Sequence, residues 1–267
     1  MSHPFADLDP DRLAQRLAGC VLGRPLRYFA SIESTNLYLR SLAPAEAVHG
    51  LLAVAEHQSA GRGKLDRRWG DAPGRSLLFS LLLHAGRPPA AWPLLTLAAA
   101  AGICRTLRRG GLADARLRWP NDVLIGERKV CGILTECAAA PAQLVIGIGI
   151  NVHQTREEFP PGLRATATSL RIAGGRAWDR TDLLVECLED FGAFFDLWQR
   201  AEDEAIRAGC RRVLATLGRL VRVRSHTRTV EGVMMDLDRD GSLVLREPTG
   251  VVSRWHSAEV EETSWGE

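Results

Sequence analysis

Residues 58–75, QSAGRGKLDRRWGDAPGR, carry no hydrophobic period, yet they separate two of the most apolar runs in the chain. LLAVAEH (51–57) and SLLFSLLLH (76–84) each read as a buried strand. A connection this long between buried strands of a compact domain is uncommon, and such loops are usually functional or disordered. Gly61 and Gly63 let the backbone approach a ligand, and Arg62, Lys64, Arg67 and Arg68 can neutralise an anion. The segment therefore reads as an anion-binding loop, with a solvated basic loop as the plain alternative. It matches neither the P-loop nor the dinucleotide-binding glycine pattern. Trp69 is either a core residue or an aromatic face for a purine.

The pattern around this loop is that of an α+β domain. Residues 8–20 predict a short amphipathic helix, with Leu8, Leu13 and Leu17 near helical spacing. LRYFASI (26–32) predicts a strand, and Ser34, Thr35 and Asn36 offer caps for a helix through Leu42. WPLLTLAAAAGICRTLRR (92–109) predicts a strong helix stopped by Gly110 and Gly111. ARLRW (115–119) reads as a strand, residues 122–140 as a hairpin turning near Gly126, and QLVIGIGINV (143–152) as a further strand. Residues 181–209 predict one long helix capped by Thr181. After Gly218 the texture changes to short strands, LVRVRS, TVEGVMMDLD, SLVLREP and VVSRWHSAEV, separated by turn residues. We expect a main domain over residues 1–215 and a small antiparallel barrel over 216–267.

Composition narrows the function classes. Among 267 residues the formal charge is +2, so no global field argues for nucleic acid or an anionic membrane. No apolar stretch approaches the roughly 18 residues of a membrane span, and the N-terminal residues lack the apolar core of a signal peptide. The six cysteines form no CxxC pair, which argues against a disulfide scaffold or a structural zinc site and for reduced thiols in the cytoplasm. Of the 34 basic residues only two are lysines, Lys64 and Lys129. Both lie in motif-like stretches, as if a compact point charge were needed where a planar fork would not serve.

Four further stretches can carry chemistry. In RWPND (118–122), Asn121 and Asp122 can cap a turn or face a ligand. Lys129 enters a strand just before CGIL, where Gly132 leaves room for a reacting phosphate or carboxylate; snorkelling to the surface is the alternative. GIGIN (147–151) places glycines on alternate positions of an apolar strand, which points to close approach of a ligand or another backbone. Asn151 ends that strand, either reading an adenine edge or serving a turn. STN (34–36) and Gln58 are polar groups at element ends.

Taken in order, STN…EHQSAGRGKLDRRW…RWPNDVLIGERKVCGIL…GIGINV resembles the biotin protein ligase family, biotin–[acetyl-CoA-carboxylase] ligase, over about residues 26–152. The C-terminal strands resemble that family's SH3-like domain. The resemblance implies a mixed-sheet catalytic domain of the biotin/lipoate ligase type. It implies that Ser34, Thr35, Asn36, Gln58, Gly61, Arg62, Gly63, Lys64, Lys129 and Gly132 bind biotin. Arg67, Trp69, Asn121, Lys129 and Asn151 are implied at ATP or the adenylate, and Lys129, Arg62 and Lys64 in catalysis. Lys64 stands where the family often has arginine, Asp66 where it often has glycine, and Arg118 where lysine is common. Residues 1–25 are too few for the winged DNA-binding domain of some members, so no DNA-binding role is expected.

The implied chemistry is consistent with the residues. A carboxylate is a poor electrophile until AMP transfer from ATP makes it a mixed anhydride, which a target lysine of a biotin carboxyl carrier or carboxylase domain then opens. Cations must position and stabilise the anions. Mg²⁺ is expected with ATP, and Asp122 is the candidate ligand. The sequence leaves a homodimer open. The other readings are a lipoate–protein ligase and a non-catalytic biotin-binding regulatory module. Because the loop cations repel one another, residues 61–69 are expected to be ordered by ligand. The C-terminal barrel is expected to assist without forming the pocket.

Overall fold

A computed structural model of the chain describes residues 7–64, 67–138, 143–225 and 227–263. Asp9 accepts from the backbone of Asp11 and Arg12, and with Pro10 in the first turn it starts α1 (Pro10–Arg16). After β1 (Leu26–Phe29), Ser34 caps α2 (Thr35–Arg40). The two apolar runs become β2 (Leu52–Ala55) and β3 (Ser76–His84), and α3 (Trp92–Arg109) has the bounds its sequence predicts. The strands β4 (Ala115–Arg118), β5 (Asp122–Ile125), β6 (Arg128–Cys137) and β7 (Gln143–Asn151) follow. They complete a seven-stranded mixed sheet of order β1-β2-β3-β7-β6-β5-β4, in which only β1 and β2 pair in parallel.

The C-terminal half differs from expectation in two places. Residues 181–209 are two helices, α5 (Arg180–Gln199) and α6 (Asp203–Arg211), preceded by the short α4 (Leu170–Gly174). The break has a tertiary cause. Arg87 donates to the Trp198 carbonyl at the end of α5 and grips the Asp203 carboxylate with both terminal nitrogens, and Ala201 takes a positive φ of 55° between them. The cap of α5 is Asp179 rather than Thr181, whose hydroxyl donates to the Asp7 carbonyl. VVSRWHSAEV is likewise two strands. After β8 (Leu220–Arg224), β9 (Thr229–Leu237) and β10 (Leu243–Arg246), β11 (Val252–Trp255) pairs with β10, and β12 (Glu259–Glu262) crosses to β8. The result is a five-stranded antiparallel sheet of SH3-like type, ordered β11-β10-β9-β8-β12.

The core of this small sheet is continuous with that of the main domain. Val221, Met234, Leu243, Trp255 and Val260 belong to the same buried cluster as α3, α5 and the large sheet. Trp119 Nε1 donates to the Gly241 carbonyl at 3.0 Å, and Arg211 grips Asp236. The expected small barrel thus packs on the main domain through a shared apolar layer. By length and composition α3 could cross a bilayer, but its apolar surface is buried in that core.

Alternation splits the large sheet into two faces. Leu77, Phe79 and Leu81 of β3, with Ile146, Ile148 and Ile150 of β7, face the main core. The opposite face begins under α2, where Leu39, Ala53, Leu82 and Val145 form a smaller cluster. Further along, that face carries Gly147, Gly149 and Asn151.

One buried ionic group ties the N-terminal segment to the sheet. The Arg180 side chain is 0% exposed; its Nε donates to Asp7 Oδ1 at 2.9 Å and its Nη1 to Glu56 Oε2 at 2.7 Å. His153 Nε2 lies 2.8 Å from Asp7 Oδ2, and the Tyr28 hydroxyl donates to Glu56 Oε1 at 3.0 Å. Burial, then the charge of Glu56, push the Tyr28 phenol up to about 12. The folded protein favours the neutral phenol, so this stabilisation is present below pH ~10 and is lost as pH rises through the folded value. Titration of tyrosinate absorbance in the folded protein is expected to show a late step that Tyr28→Phe removes.

Candidate active site

Capping fixes the first wall of the site. With Ser34 outside α2, Thr35 and Asn36 fall in its first turn. The Thr35 N–H donates to Gln58 Oε1 at 2.7 Å, and the Thr35 hydroxyl lies 2.6 Å from Ser80 Oγ. Ser80 donates to Asn36 Oδ1 at 2.6 Å, and Asn36 Nδ2 donates to Glu136 Oε2 at 2.9 Å. The oxygen of Gln58 is spent inward, which leaves its NH₂ group as the donor for a ligand.

The glycines of β6 and β7 make the floor. A Cβ on Gly147 would lie 2.0 Å from Asn36 Oδ1, and one on Gly149 would lie 2.6 Å from the Trp69 indole. Gly132 pairs in register with Gly149, and a Cβ there would meet the same indole at 2.8 Å. The close approach expected of these glycines is thus made by two side chains of the protein itself. Along one face of β7 stand Asn36 over Gly147, Trp69 over Gly149, and then Asn151. Gly147→Ala is expected to cost about 1–3 kcal/mol of stability by overpacking, measured by denaturant unfolding.

A bulge aims Lys129. In β6, Lys129 and Gly132 are an odd number of residues apart and belong on opposite faces in a regular strand. The register between β5 and β6 shifts at Val123/Leu124, because Val130 is an extra residue there. Lys129 is thereby brought to the glycine face, where its Nζ lies 3.1 Å from the position of a Gly132 Cβ and 5.5 Å from the Trp69 ring centroid. Asp122, directly opposite Gly132, meets Lys129 Nζ at 2.6 Å through one oxygen and Arg118 Nη2 at 2.8 Å through the other. The expected metal candidate is thus a carboxylate with a cation on each oxygen. No group of three or more His, Cys, Asp or Glu residues placed to hold a metal exists among the described residues. The described residues of the site do not fit a resident metal ion.

The glycine-rich loop folds back as a hairpin. Trp69 N–H donates to the Gly61 carbonyl at 2.9 Å, Gly63 N–H to the Arg67 carbonyl at 2.7 Å, and Arg62 bridges Arg68. Leu65 and Asp66 lie outside the described residues, so the departure at Asp66 has no structural account. The loop cations do not face one another bare. Arg62 pairs with Glu136 at 3.2 Å, Arg75 with Glu158 at 3.2 Å, Arg67 with Glu259 of β12, and Arg68 donates to the Ser59 carbonyl. Burial lowers the Lys64 ammonium below its usual range, against the opposing pull of Asp122. The mutual repulsion expected of this loop is therefore relieved for Arg62, Arg67 and Arg75 by the protein's own acids.

Apart from Gly61, every residue singled out in the sequence as a site residue borders one cavity of about 530 Å³. Gly61 instead closes the hairpin beneath Trp69. Asn121 donates its Nδ2 to the Ile133 carbonyl at 2.8 Å, holding β6. Asn151 donates to the Thr168 carbonyl at 3.0 Å and accepts from Gln154 at 3.3 Å, so both ends of its amide are engaged. β12 supplies Glu259 and Val260 to the rim, correcting the expectation that the C-terminal segment stays out of the pocket.

Residues 28–151 match the Biotin/lipoate A/B protein ligase family, and residues 216–261 match the Biotin protein ligase C terminal domain. The chain is 34% identical over 245 residues to the biotin–[acetyl-CoA-carboxylase] ligase of Mycobacterium tuberculosis, covering 89% of this chain and 90% of that protein. The chain belongs to the biotin protein ligase family. Another member, the bifunctional ligase/repressor BirA of Bacillus spizizenii, is 33% identical over 244 residues, with 90% of this chain and 75% of that protein covered. Among solved structures, the biotin protein ligase from Aquifex aeolicus in complex with biotin and ATP aligns with a TM-score of 0.80 at 25% identity, covering 90% of this chain and all of that one. The α+β fold with an SH3-like C-terminal domain is the family's. Sequence reasoning did not find Ser80, Glu136, Gln154 or Glu259. They sit in strands or irregular segments without a motif, and only the fold brings them to the site.

Proposed function

We propose that this protein activates biotin with MgATP to biotinyl-5′-AMP and transfers the biotinyl group to a lysine of a biotin carboxyl carrier domain, in the cytoplasm. The observation that carries the reading is the bulge that sets Lys129 beside Trp69 on a glycine floor, within one cavity shared with the basic hairpin. Biotin would lie at the Thr35–Asn36–Gln58 wall above the Gly132 floor, with the hairpin residues Arg62, Gly63 and Lys64 closing on it and Gly61 holding the base of the hairpin. Arg67, Trp69, Asn121 and Asn151 border the space left for the adenylate. Lys129, Arg62 and Lys64 would hold two mutually repelling anions in line and stabilise charge at the α-phosphate. No covalent nucleophile is required, because the acceptor amine opens the anhydride and AMP leaves. A hairpin closed over the intermediate would keep water from the anhydride. Every group invoked lies in one chain, so a homodimer is compatible with the chemistry and not needed for it. DNA has no part in the proposal.

The test is incubation with MgATP, biotin and a carrier domain bearing the acceptor lysine. Biotin transfer is the expected result. Transfer of lipoate alone would make the chain a lipoate–protein ligase, and biotin binding without turnover would make it a regulatory module.

A further inference from the structure

Lys64 on the hairpin and Lys129 on β6 both border the active-site cavity, and they are the only lysines in the 267-residue chain. They are held differently. Lys129 Nζ is engaged by the Asp122 carboxylate at 2.6 Å. Lys64 has no carboxylate at ion-pair distance among the described residues, and burial disfavours its ammonium form against the weaker opposing pull of Asp122. A neutral amine is a nucleophile, and an ammonium is not. The hairpin's other cations, Arg62, Arg67 and Arg68, are guanidinium groups that stay protonated and cannot serve in this way. The reaction proposed for this cavity makes an acyl–phosphate anhydride whose next step is attack by a lysine amine. A carrier must bring its lysine in from solution. Lys64 already stands at the cavity, so its attack would be unimolecular and favoured by a high effective concentration.

We propose that Lys64 is a self-biotinylation site, modified when biotinyl-5′-AMP is made and no carrier takes it. This rests on the reading of the site as one that makes that anhydride. Lys64 Nζ attacks the acyl carbon and an amide C–N bond forms. The bond from the acyl carbon to the phosphate oxygen breaks, AMP leaves with that electron pair, and the surplus amine proton passes to solvent. Only the neutral fraction of Lys64 attacks, so self-labelling is slower than transfer to a carrier, and a carrier protects the site by draining the anhydride. The product is a neutral amide, which removes one of the cations offered to the phosphates.

The experiment incubates the unmodified full chain with biotin and MgATP and without a carrier, and follows pyrophosphate release, intact mass and the mapped position of any label. The expected result is a single biotinyl group per chain, mapped to Lys64, that needs both biotin and ATP and falls several-fold when a carrier domain is added. A Lys129→Ala chain mixed in as a bystander, told apart by its mass, should lag far behind the unmodified chain, because the attack occurs within one cavity. Pyrophosphate release with no label at Lys64 overturns the proposal. So does a label carried mainly by Lys129 or by the N-terminal amine. Equal labelling of the bystander also overturns it, since the anhydride would then act from solution. Absence of biotin-dependent pyrophosphate release overturns the reading of the site itself, and this inference with it.

Discussion

Lys129→Ala is expected to slow biotin-dependent pyrophosphate release by about 10²-fold or more, while biotin binding stays within a few-fold of the unmodified protein. The ammonium lies beside Trp69 on the glycine floor, where under the proposed mechanism charge would develop as the α-phosphate is attacked. Its removal should act on the rate more than on the ground state, because an interaction formed mainly in the transition state is what is lost. The fold should survive. Asp122 keeps Arg118 as a partner at 2.8 Å, and the Lys129 backbone remains bonded to residues 166 and 168. Single-turnover pyrophosphate release and calorimetric biotin binding together decide the point. Release within a few-fold of the unmodified protein would remove Lys129 from the chemistry.

Arg180→Met should be the most damaging single change to stability. Arg180 is the cation between Asp7 and Glu56, and removing one partner of a buried ionic group costs about 3–5 kcal/mol because the remaining charges lose their compensation. For a chain of this size that is a fall of roughly 10 °C in the thermal midpoint. Burial alone would raise the Asp7 carboxyl, but the hydrogen bond from His153 and the charge and hydrogen bonds of Arg180 outweigh it and hold it low. A depressed carboxylate contributes stability above its unfolded value, near pH 4, and loses it as pH falls through the folded value. Arg180→Met should therefore also flatten the acid limb of the stability profile, and Glu56→Gln added to it should recover part of the loss. A variant melting within a degree or two of the unmodified protein would show that the acids are held by other groups.

Much of the frame was legible because local pattern and tertiary fate agree. SLLFSLLLH is buried along eight of its nine residues and has no competing reading, and α3 runs between Trp92 and its stop at Gly110 as the sequence reads. The glycines of GIGIN announced a close approach, but a glycine does not say what approaches. Here it is Asn36 and Trp69, brought from distant parts of the chain. Lys129 was found by its rarity, and its direction was hidden, because one bulged residue reverses which face it serves. The break between α5 and α6 was hidden for another reason. Arg200, Ala201 and Glu202 are ordinary helix residues, and the distant Arg87 is what ends the helix. Gln154 gave no signal either, since it lies past the end of β7 and meets Asn151 only once the chain has turned there.

The pairing of the hairpin's cations bears on how a nucleotide would arrive. A triphosphate approaching this site does not see a cluster of bare guanidinium groups; Arg62, Arg67 and Arg75 are already held by Glu136, Glu259 and Glu158. Recruitment from solution would then owe less to long-range attraction than the number of cations in the loop suggests. Selectivity for the ligand moves to the last step of docking. There the phosphates must take over the places of Glu136, Glu158 and Glu259, an exchange open to a polyanion seated in the right geometry and closed to one that merely carries the charge.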